Sequence, residues 1–295
     1  MNLKQALNLA REHLSTLADV DYPGFEAEVL LRYAIGLDRA QLHLSLDRQL
    51  NPDEYAKFFE WVKRRLNGEP TAYILQHREF YGLDFYVDQR VLIPRPESEL
   101  LVEEALKFIK THQVTSIADI GTGSGALVVS LAVSLFSSSL RAPQPPEAVS
   151  INLQLFATDI SPDALEVAKL NARKHTVETL ITCLQGDLLD ALPQPVDVII
   201  ANLPYVTTID TSAMPSAKYE PVGALDGGAD GLDQIRRLAN QIKGKLNPGG
   251  LVLLEIGMGQ GQTVSNYIRG ILPEAKIEAI PDLSGIERVV KVSYQ

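Results

Sequence analysis

Four residues with distinct chemistry, Asn202, Leu203, Pro204 and Tyr205, follow the apolar run VDVIIA. Such a run is typical of a buried parallel strand, and open α/β sheets bind ligands at the carboxyl ends of their strands. A planar nitrogen, as in a carboxamide or an aromatic amine, is a weak nucleophile because its lone pair is delocalised. Acceptors that hold its two hydrogens would orient the lone pair and favour the positive charge that develops as the nitrogen attacks.

The tetrapeptide contains the groups that this chemistry needs. The Asn202 side-chain oxygen and the Leu203 carbonyl would form the acceptor pair. Pro204 restrains the preceding residue to an extended conformation and so directs that carbonyl, while the Tyr205 ring can pack flat against a planar group. A strong general base is unnecessary, so catalysis would consist of positioning and electrostatics. The alternative is that the tetrapeptide is only a structural turn.

A glycine loop, DIGTGSGAL, follows the first strand of the predicted sheet and precedes an apolar helix. Gly121, Gly123 and Gly125 allow a tight turn and a close approach of ligand to backbone, and Thr122 and Ser124 lie between them. The helix that follows offers free N–H groups. The spacing is G-x-G-x-G, whereas the dinucleotide fingerprint is G-x-G-x-x-G.

Three acidic residues lie at neighbouring strand ends. Asp159 could accept two hydrogen bonds from a ribose diol; the alternative is that it is an N-cap, a role that Ser161, ahead of Pro162, could fill just as well. Asp187 could bind the exocyclic amine of an adenine. Asp119 could reach, directly or through water, the ammonium group of a methionine-like tail. Three acids suit a cationic ligand better than a pyrophosphate, which favours S-adenosylmethionine over NAD.

The elements that must position these residues fall into two regions. The first seventy-odd residues show helical periodicity, and REFYGLDFYVDQRVLIPRP then switches to period two around Gly82, which predicts a hairpin. From Thr115 onward short apolar runs alternate with helical patterns, which predicts an α/β fold with a doubly wound parallel sheet and an antiparallel finish. The segment from Ser137 to Ser150, rich in Ser and Pro, is interpreted as a flexible insertion. The loop YEPVGALDGGADGLD is placed near the mouth of the active site.

Composition limits the functional classes. The 295 residues have a net charge of −10, which argues against a broad nucleic-acid surface, so we expect no direct nucleic-acid partner. The single cysteine, Cys183, excludes an intramolecular disulfide and offers no metal cluster, so no metal is predicted. The sequence has no membrane-length apolar stretch and no signal-peptide pattern at its N-terminus, so we expect a cytoplasmic protein without a membrane partner.

Motifs along nearly the whole chain carry a resemblance to a known family. The sequence resembles the protein-(glutamine-N5) methyltransferases that modify peptide-chain release factors, the HemK/PrmC family. The Asn-x-Pro-Tyr motif alone is shared with N6-adenine methyltransferases, but the full set of motifs that carries the resemblance is far more specific. Its members are GEPTAYILQHREFYGLDFYV, VLIPRPESELLVE, DIGTGSGALVVSLA, TDISPDALEVAKLNA, NLPY, YEPVGALDGGADGLDQIR, NPGGLVLLEIGMGQGQ and GIERVV.

The resemblance implies a Rossmann-like class I methyltransferase sheet preceded by a small all-helical domain and a β-hairpin linker. The corresponding boundaries are 1–75, a substrate-docking helical domain, 76–95, the hairpin linker, and 96–295, the catalytic domain. It also implies S-adenosyl-L-methionine as cofactor and class I release factors as protein substrate. The methyl group would go to the glutamine of the Gly-Gly-Gln motif.

Transferred residue by residue, the resemblance assigns two groups of site residues. Residues 121–125, with Asp159, Asp187 and Leu188, would bind the cofactor, as would Asn202. Residues 202–205 would hold the glutamine. The sequence departs from the family pattern at Leu203, where proline is usual, at Gln76, where glycine is common, and in the insertion from Ser137 to Ser150.

Three alternatives remain at this point. An N6-adenine nucleic-acid methyltransferase shares the nucleophile chemistry, but it should have a basic surface and a target-recognition region. An NAD-dependent dehydrogenase should have the G-x-G-x-x-G spacing and a His or Tyr that handles hydride transfer. A catalytically silent binding module is the third alternative, which the intact Asn202 and Asp159 oppose.

Overall fold

The N-terminal helices begin and end at residues whose chemistry favours helix termini. Asn2 and Asn51 each accept a hydrogen bond from the third residue of their helix, whose side chain bonds back to the cap. Such capping boxes satisfy N–H groups that would otherwise lack a partner. Gly36 ends the second helix in the left-handed region. The helices are α1 (Leu3–Leu14), α2 (Pro23–Ile35), α3 (Arg39–Leu44), α4 (Pro52–Leu66) and α5 (Thr71–Leu75).

In the computed structural model, which describes residues 1–141 and 153–294, the chain divides into two compact units. The first comprises Met1–His77 and Met214–Tyr219, and the second Arg78–Ala213 and Glu220–Gln295. The first unit has its own apolar core, in which α1, α2 and α4 contribute fully buried leucine and phenylalanine side chains. It therefore has the core that an independent helical unit needs.

A hairpin opens the second unit. Strands β1 (Arg78–Phe80) and β2 (Leu83–Phe85) pair antiparallel around a turn in which Tyr81 and Gly82 both have positive φ. Phe80 and Phe85 are buried in the same apolar core as side chains from the strands of the main sheet. The period-two pattern predicted a longer hairpin, but β2 ends at Phe85. The next backbone N–H, that of Tyr86, donates to the Asn171 side chain instead of to a partner strand.

The main sheet contains seven strands among the described residues, in the order β5-β4-β3-β6-β7-β9-β8. Neighbours from β5 to β7 pair in parallel, whereas β9 runs antiparallel between β7 and β8. This topology confirms the predicted doubly wound α/β fold and its antiparallel finish. The strands are β3 (Ser116–Ile120), β4 (Gln154–Asp159), β5 (Ile181–Gln185), β6 (Val196–Ala201), β7 (Leu246–Glu255), β8 (Lys276–Pro281) and β9 (Glu287–Ser293).

The connecting helices cover the sheet and leave the carboxyl ends of its parallel strands to the loops. The chain order reverses at β3, whose neighbours are β4 and β6, and ligands bind at such switch points in open α/β sheets. The helices are α6 (Glu99–Ile109), preceded by one 3₁₀ turn (Pro96–Ser98), α7 (Ala126–Arg141), α8 (Pro162–Lys174), α9 (Thr208–Ala213), α10 (Asp233–Ile242) and α11 (Gly261–Ile271).

Part of the predicted insertion cannot be compared with the structure. Helix α7 continues through Ser137 to Arg141, so the first residues of that segment are helical. Residues 142–152 lie outside the described residues. Within the described part of the chain, no helix combines the length and the apolar character needed to cross a lipid bilayer.

Candidate functional site

A cavity of about 310 Å³ lies in the second unit, at the carboxyl ends of β3, β4 and β6. Its volume is at the lower end of the range for small-molecule sites. Most of the site residues proposed from the sequence line it, whereas Asp119, Gly125 and Tyr205 do not. The proposed residues that do line it are Gly121, Thr122, Gly123, Ser124, Asp159, Asp187, Leu188, Asn202, Leu203 and Pro204.

The glycine loop forms the turn between β3 and α7. Gly121, Gly123 and Gly125 all have positive φ, between 54° and 79°, a region that favours glycine. The three positions differ in their surroundings. A Cβ at Gly125 would lie 3.1 Å from the Cβ of Ala168, one at Gly121 would lie 3.1 Å from a methyl carbon of Leu203, and one at Gly123 would meet nothing within 4 Å. Gly123 therefore leaves open space where the loop lines the cavity.

Asp159 ends β4 and holds the glycine loop. One carboxylate oxygen accepts the Gly123 N–H at 2.9 Å, and the other accepts the Ser161 N–H at 2.9 Å. Burial raises the pKa of Asp159, and these hydrogen bonds oppose that rise. Each carboxylate oxygen has a second lone pair, so a ribose diol could still be bound. The N-cap of α8 is Ser161 and not Asp159. The Ser161 hydroxyl accepts a hydrogen bond from the Ala164 N–H in the first turn of that helix.

Asp119 lies beneath the glycine loop and is fully buried. Its carboxylate accepts hydrogen bonds from the Thr122 hydroxyl at 2.7 Å and from the Val128 N–H at 3.3 Å. Burial raises its pKa to about 7, and the nearby Asp159 adds to that rise. The structure thus places Asp119 as a support of the loop and does not bring it to the cavity wall with the other two acids.

Asp187 and Leu188 lie at the rim of the cavity, after β5. Asp187 forms an ion pair with Arg237 of α10, whose guanidinium also donates to the Gln234 side chain at 2.7 Å. Leu188 is buried and has a φ of 52°, so its backbone takes up the left-handed region at the cavity wall. An adenine amine that binds Asp187 would share this carboxylate with Arg237.

In the tetrapeptide after β6, Asn202, Leu203 and Pro204 line the cavity, whereas Tyr205 does not. The Asn202 Nδ2 donates to the Ser98 hydroxyl at 2.9 Å, and Asn202 Oδ1 accepts no hydrogen bond from the described residues. Tyr205 points its hydroxyl to Glu255, at 3.0 Å, and its pKa rises because of burial and the nearby carboxyl. Gln260 donates to the Tyr205 carbonyl at 3.0 Å. The Tyr205 hydroxyl is therefore already hydrogen-bonded within the protein, whereas the Asn202 side-chain oxygen could accept a hydrogen bond from a ligand.

Several residues that line or support the cavity were not identified from the sequence. Ser98 lines it, and Glu255 is a buried carboxyl that contacts Tyr205. Glu255 could have been identified because it is a charged residue inside the apolar run LVLLEIG. No feature of the sequence around Ser98 indicates that it lies at the cavity. The loop placed near the mouth does contribute cavity-lining residues, namely Pro221, Gly223 and Ala224.

The residues present fit an adenosine cofactor with a cationic centre. The cavity combines an open glycine loop, a carboxylate positioned for a diol and a second carboxylate at the rim. No group of three metal-binding side chains that could hold an ion occurs among the described residues.

Comparison with known proteins gives matches along nearly the whole chain. The description "PrmC N-terminal domain" matches residues 5–75, and "Methyltransferase domain" matches residues 111–258. A release factor glutamine methyltransferase of Moorella thermoacetica is 41% identical, covering 98% of this chain and 97% of that protein. Its counterpart in Koribacter versatilis is 38% identical, covering 98% of each chain.

Solved structures are similar in fold. The catalytic domain of hMettl16 in complex with the MAT2A 3'UTR hairpin 1 superposes with a TM-score of 0.54, covering 86% of this chain and 85% of that one. Because the identity is only 15%, this similarity shows a shared fold alone.

Proposed function

The chain belongs to the family of release factor glutamine methyltransferases, and on that premise we propose that it methylates the glutamine of the Gly-Gly-Gln motif in class I release factors. The methyl group of S-adenosylmethionine would go to the side-chain amide nitrogen of that glutamine. The observation that carries this proposal is the position of Asn202, which lines the same cavity as the glycine loop and Asp159 and whose side-chain oxygen accepts no hydrogen bond from the described residues.

The tetrapeptide would hold the substrate amide. Asn202 Oδ1 and the Leu203 carbonyl would accept its two N–H groups, so its lone pair points toward the methyl donor. Both acceptors also stabilise the positive charge that develops on the nitrogen. The proton is acidic only after methylation and can leave to water, so no general base is required. Leu203 in place of the usual proline should preserve this function because the backbone supplies the acceptor.

The cofactor would lie along the glycine loop. Residues 121–125 would approach it closely, Asp159 would bind the ribose diol, and Asp187 with Leu188 would hold the adenine. Bound there, S-adenosylmethionine supplies an electrophilic methyl group on a positive sulfur. Asp119 would support the loop from below and act on an ammonium group only through an intervening group such as water.

The helical domain, residues 1–75, would dock the release factor, with residues 76–95 as linker and 96–295 as catalytic domain. This part of the proposal is tested by deleting residues 1–75. We expect a soluble enzyme that still binds the cofactor but has a raised KM for the release factor. An unchanged KM would contradict the docking role.

The substrate is tested with S-adenosylmethionine carrying a labelled methyl group. We would offer intact release factor, the same factor with Gln replaced by Ala in Gly-Gly-Gln, duplex DNA and RNA. Label on the intact factor alone is the expected result. Label on nucleic acid would instead support N6-adenine methylation, which the net charge of −10 disfavours.

A further inference from the structure

Gln260, which lies between β7 and α11, is hydrogen-bonded through both ends of its side-chain amide. Its Oε1 accepts the Gly257 N–H at 2.8 Å, and its Nε2 donates to the Tyr205 carbonyl at 3.0 Å. A backbone N–H can only donate and a backbone carbonyl can only accept, so these two partners allow a single orientation of the amide. Gln260 therefore ties the last residue of the tetrapeptide to the segment that follows β7.

Glycines of the loop YEPVGALDGGADGLD pack closely around this connection. A Cβ at Gly231 would lie 2.2 Å from the Tyr205 carbonyl oxygen and 2.7 Å from Gln260 Nε2, and one at Gly227 would lie 2.6 Å from the Pro204 carbonyl oxygen. The loop therefore contacts the tetrapeptide backbone at positions where no side chain would fit. Because the hydrogen bond from Gln260 is partly buried, a Tyr205 carbonyl that loses this donor would be poorly solvated.

The tetrapeptide is held at both ends, and the Leu203 carbonyl lies between them. At its start, β6 is paired on one side with β3 and on the other with β7. At its end, Gln260 holds the Tyr205 carbonyl, and the Val206 N–H donates to the glycine-containing loop at 3.1 Å. Because the ring of Pro204 fixes its φ, a displacement of Tyr205 is transmitted to the Leu203 carbonyl.

We propose that Gln260 is a positioning residue for methyl transfer, which keeps the Leu203 carbonyl in place by fixing the Tyr205 carbonyl. This inference rests on the proposed function, in which the Leu203 carbonyl accepts one N–H of the substrate amide. Since misplacing a group in a reacting complex costs up to about 100-fold, we expect kcat to fall about 10- to 100-fold when the Nε2 donor is lost. The cofactor Kd should stay within about 3-fold, because Gln260 does not line the cavity.

The substitution Gln260→Glu removes the donor at nearly constant shape. An ionised carboxylate can still accept the Gly257 N–H, but its other oxygen then faces the Tyr205 carbonyl, and two acceptors repel each other. A protonated carboxyl can donate to that carbonyl instead. The facing carbonyl and partial burial should raise the pKa of the introduced carboxyl above its ordinary value of about 4.3, so a lower pH restores the donor. The loss of kcat relative to wild type should therefore shrink about 3-fold or more between pH 8 and about pH 5.5.

The experiment measures kcat at both pH values for wild type, Gln260→Glu, Gln260→Ala and a matched control, Gln262→Glu. Gln262 lies in the first turn of α11 and donates to the Asn266 side chain, so the control makes the same change of charge two residues away. We expect Gln260→Ala to lose kcat equally at both pH values, because alanine cannot regain a donor, and Gln262→Glu to stay within about 3-fold of wild type. A kcat within about 3-fold of wild type in both Gln260 variants, or a loss in Gln260→Glu that does not change with pH, would overturn the inference.

A second readout reports the hydrogen bond without turnover. In protein labelled with ¹³C-carbonyl tyrosine and ¹⁵N-valine, only Tyr–Val peptide bonds give a correlated NMR signal, and the sequence has two, Tyr86–Val87 and Tyr205–Val206. The Tyr86 carbonyl accepts from Asn171 at 2.9 Å, so Asn171→Ala identifies its signal. We expect Gln260→Ala to move the Tyr205 signal and to leave the Tyr86 signal in place.

The two readouts separate the failure of this inference from the failure of the proposed function. An unmoved Tyr205 signal in Gln260→Ala would overturn the inference. A wild-type enzyme that fails to methylate the release factor would instead contradict the proposed function, and the spectra would still decide whether Gln260 holds the Tyr205 carbonyl.

Discussion

Gly125 and Gly123 make a matched pair that tests the structural account of the glycine loop. Both have positive φ, at 79° and 54°. A Cβ at Gly125 would lie 3.1 Å from the Ala168 Cβ and 3.2 Å from its Cα, so α7 and α8 could not keep their present spacing. A Cβ at Gly123 would meet nothing within 4 Å. Replacement by alanine therefore imposes backbone strain at both positions but crowding only at Gly125.

The expected magnitudes follow from these two effects. A left-handed conformation costs a residue with a Cβ about 1–2 kcal/mol, and this cost applies to both variants. Overpacking adds about 1–3 kcal/mol for Gly125→Ala. At about 2–4 °C for each kcal/mol in a domain of this size, Gly125→Ala should melt roughly 2–12 °C below Gly123→Ala.

The assay must report on the unit that contains the sheet. The single tryptophan, Trp61, lies in the helical unit, so its fluorescence is unsuitable. We would follow thermal unfolding by far-UV circular dichroism and calorimetry, with cofactor absent. Equal melting temperatures for the two variants, or a lower one for Gly123→Ala, would refute the close packing of Gly125 against Ala168.

Three further predictions concern single side chains. Asp159→Asn should raise the Kd for S-adenosylmethionine about 10- to 100-fold, because charge-assisted hydrogen bonds worth about 1.5–3 kcal/mol are lost. Calorimetric titration measures this Kd, and a value within about 3-fold of wild type would contradict the role of Asp159. Burial raises the pKa of Asp119 to about 7, so the folded state binds this proton more tightly than the unfolded chain does, and wild type should lose the stability that protonated Asp119 contributes as pH rises from about 4 to about 7. Asp119→Asn should lose less over that range in urea titrations, and an equal loss would contradict the burial of the charge. Asn171→Ala removes three hydrogen bonds to the backbone of Tyr86 and Ser124, so calorimetry should show a loss of about 2–4 kcal/mol, and a loss below about 1 kcal/mol would count against this link.

The sequence could predict which residues reach the carboxyl edge of the sheet. Apolar β-branched runs locate buried strands, and the residues that follow them, such as Asp159 and Asn202, must then lie at one edge. The alternation of strands with helices also predicted the doubly wound fold. These inferences succeed because they depend on local periodicity and on general rules of connection.

Side-chain direction and long-range contacts could not be obtained in this way. Asp119 comes just before the glycines, yet its side chain lies under the loop because of the pleat of β3 and the packing of α7. Tyr205 points to Glu255 because a buried carboxyl on β7 accepts its hydroxyl. Ser98 and Asn202 are 104 residues apart and meet only in the folded chain. No periodic pattern contains such information.

The most direct test of the central claim is to locate the transferred methyl group under single-turnover conditions. Release factor treated with wild-type enzyme or with Asn202→Ala would be digested and analysed by tandem mass spectrometry. The account predicts a methyl group on the side-chain amide of the Gly-Gly-Gln glutamine, and a rate at least about 100-fold lower for Asn202→Ala at a similar cofactor Kd. A methyl group on another residue, or an unchanged rate for Asn202→Ala, would contradict it.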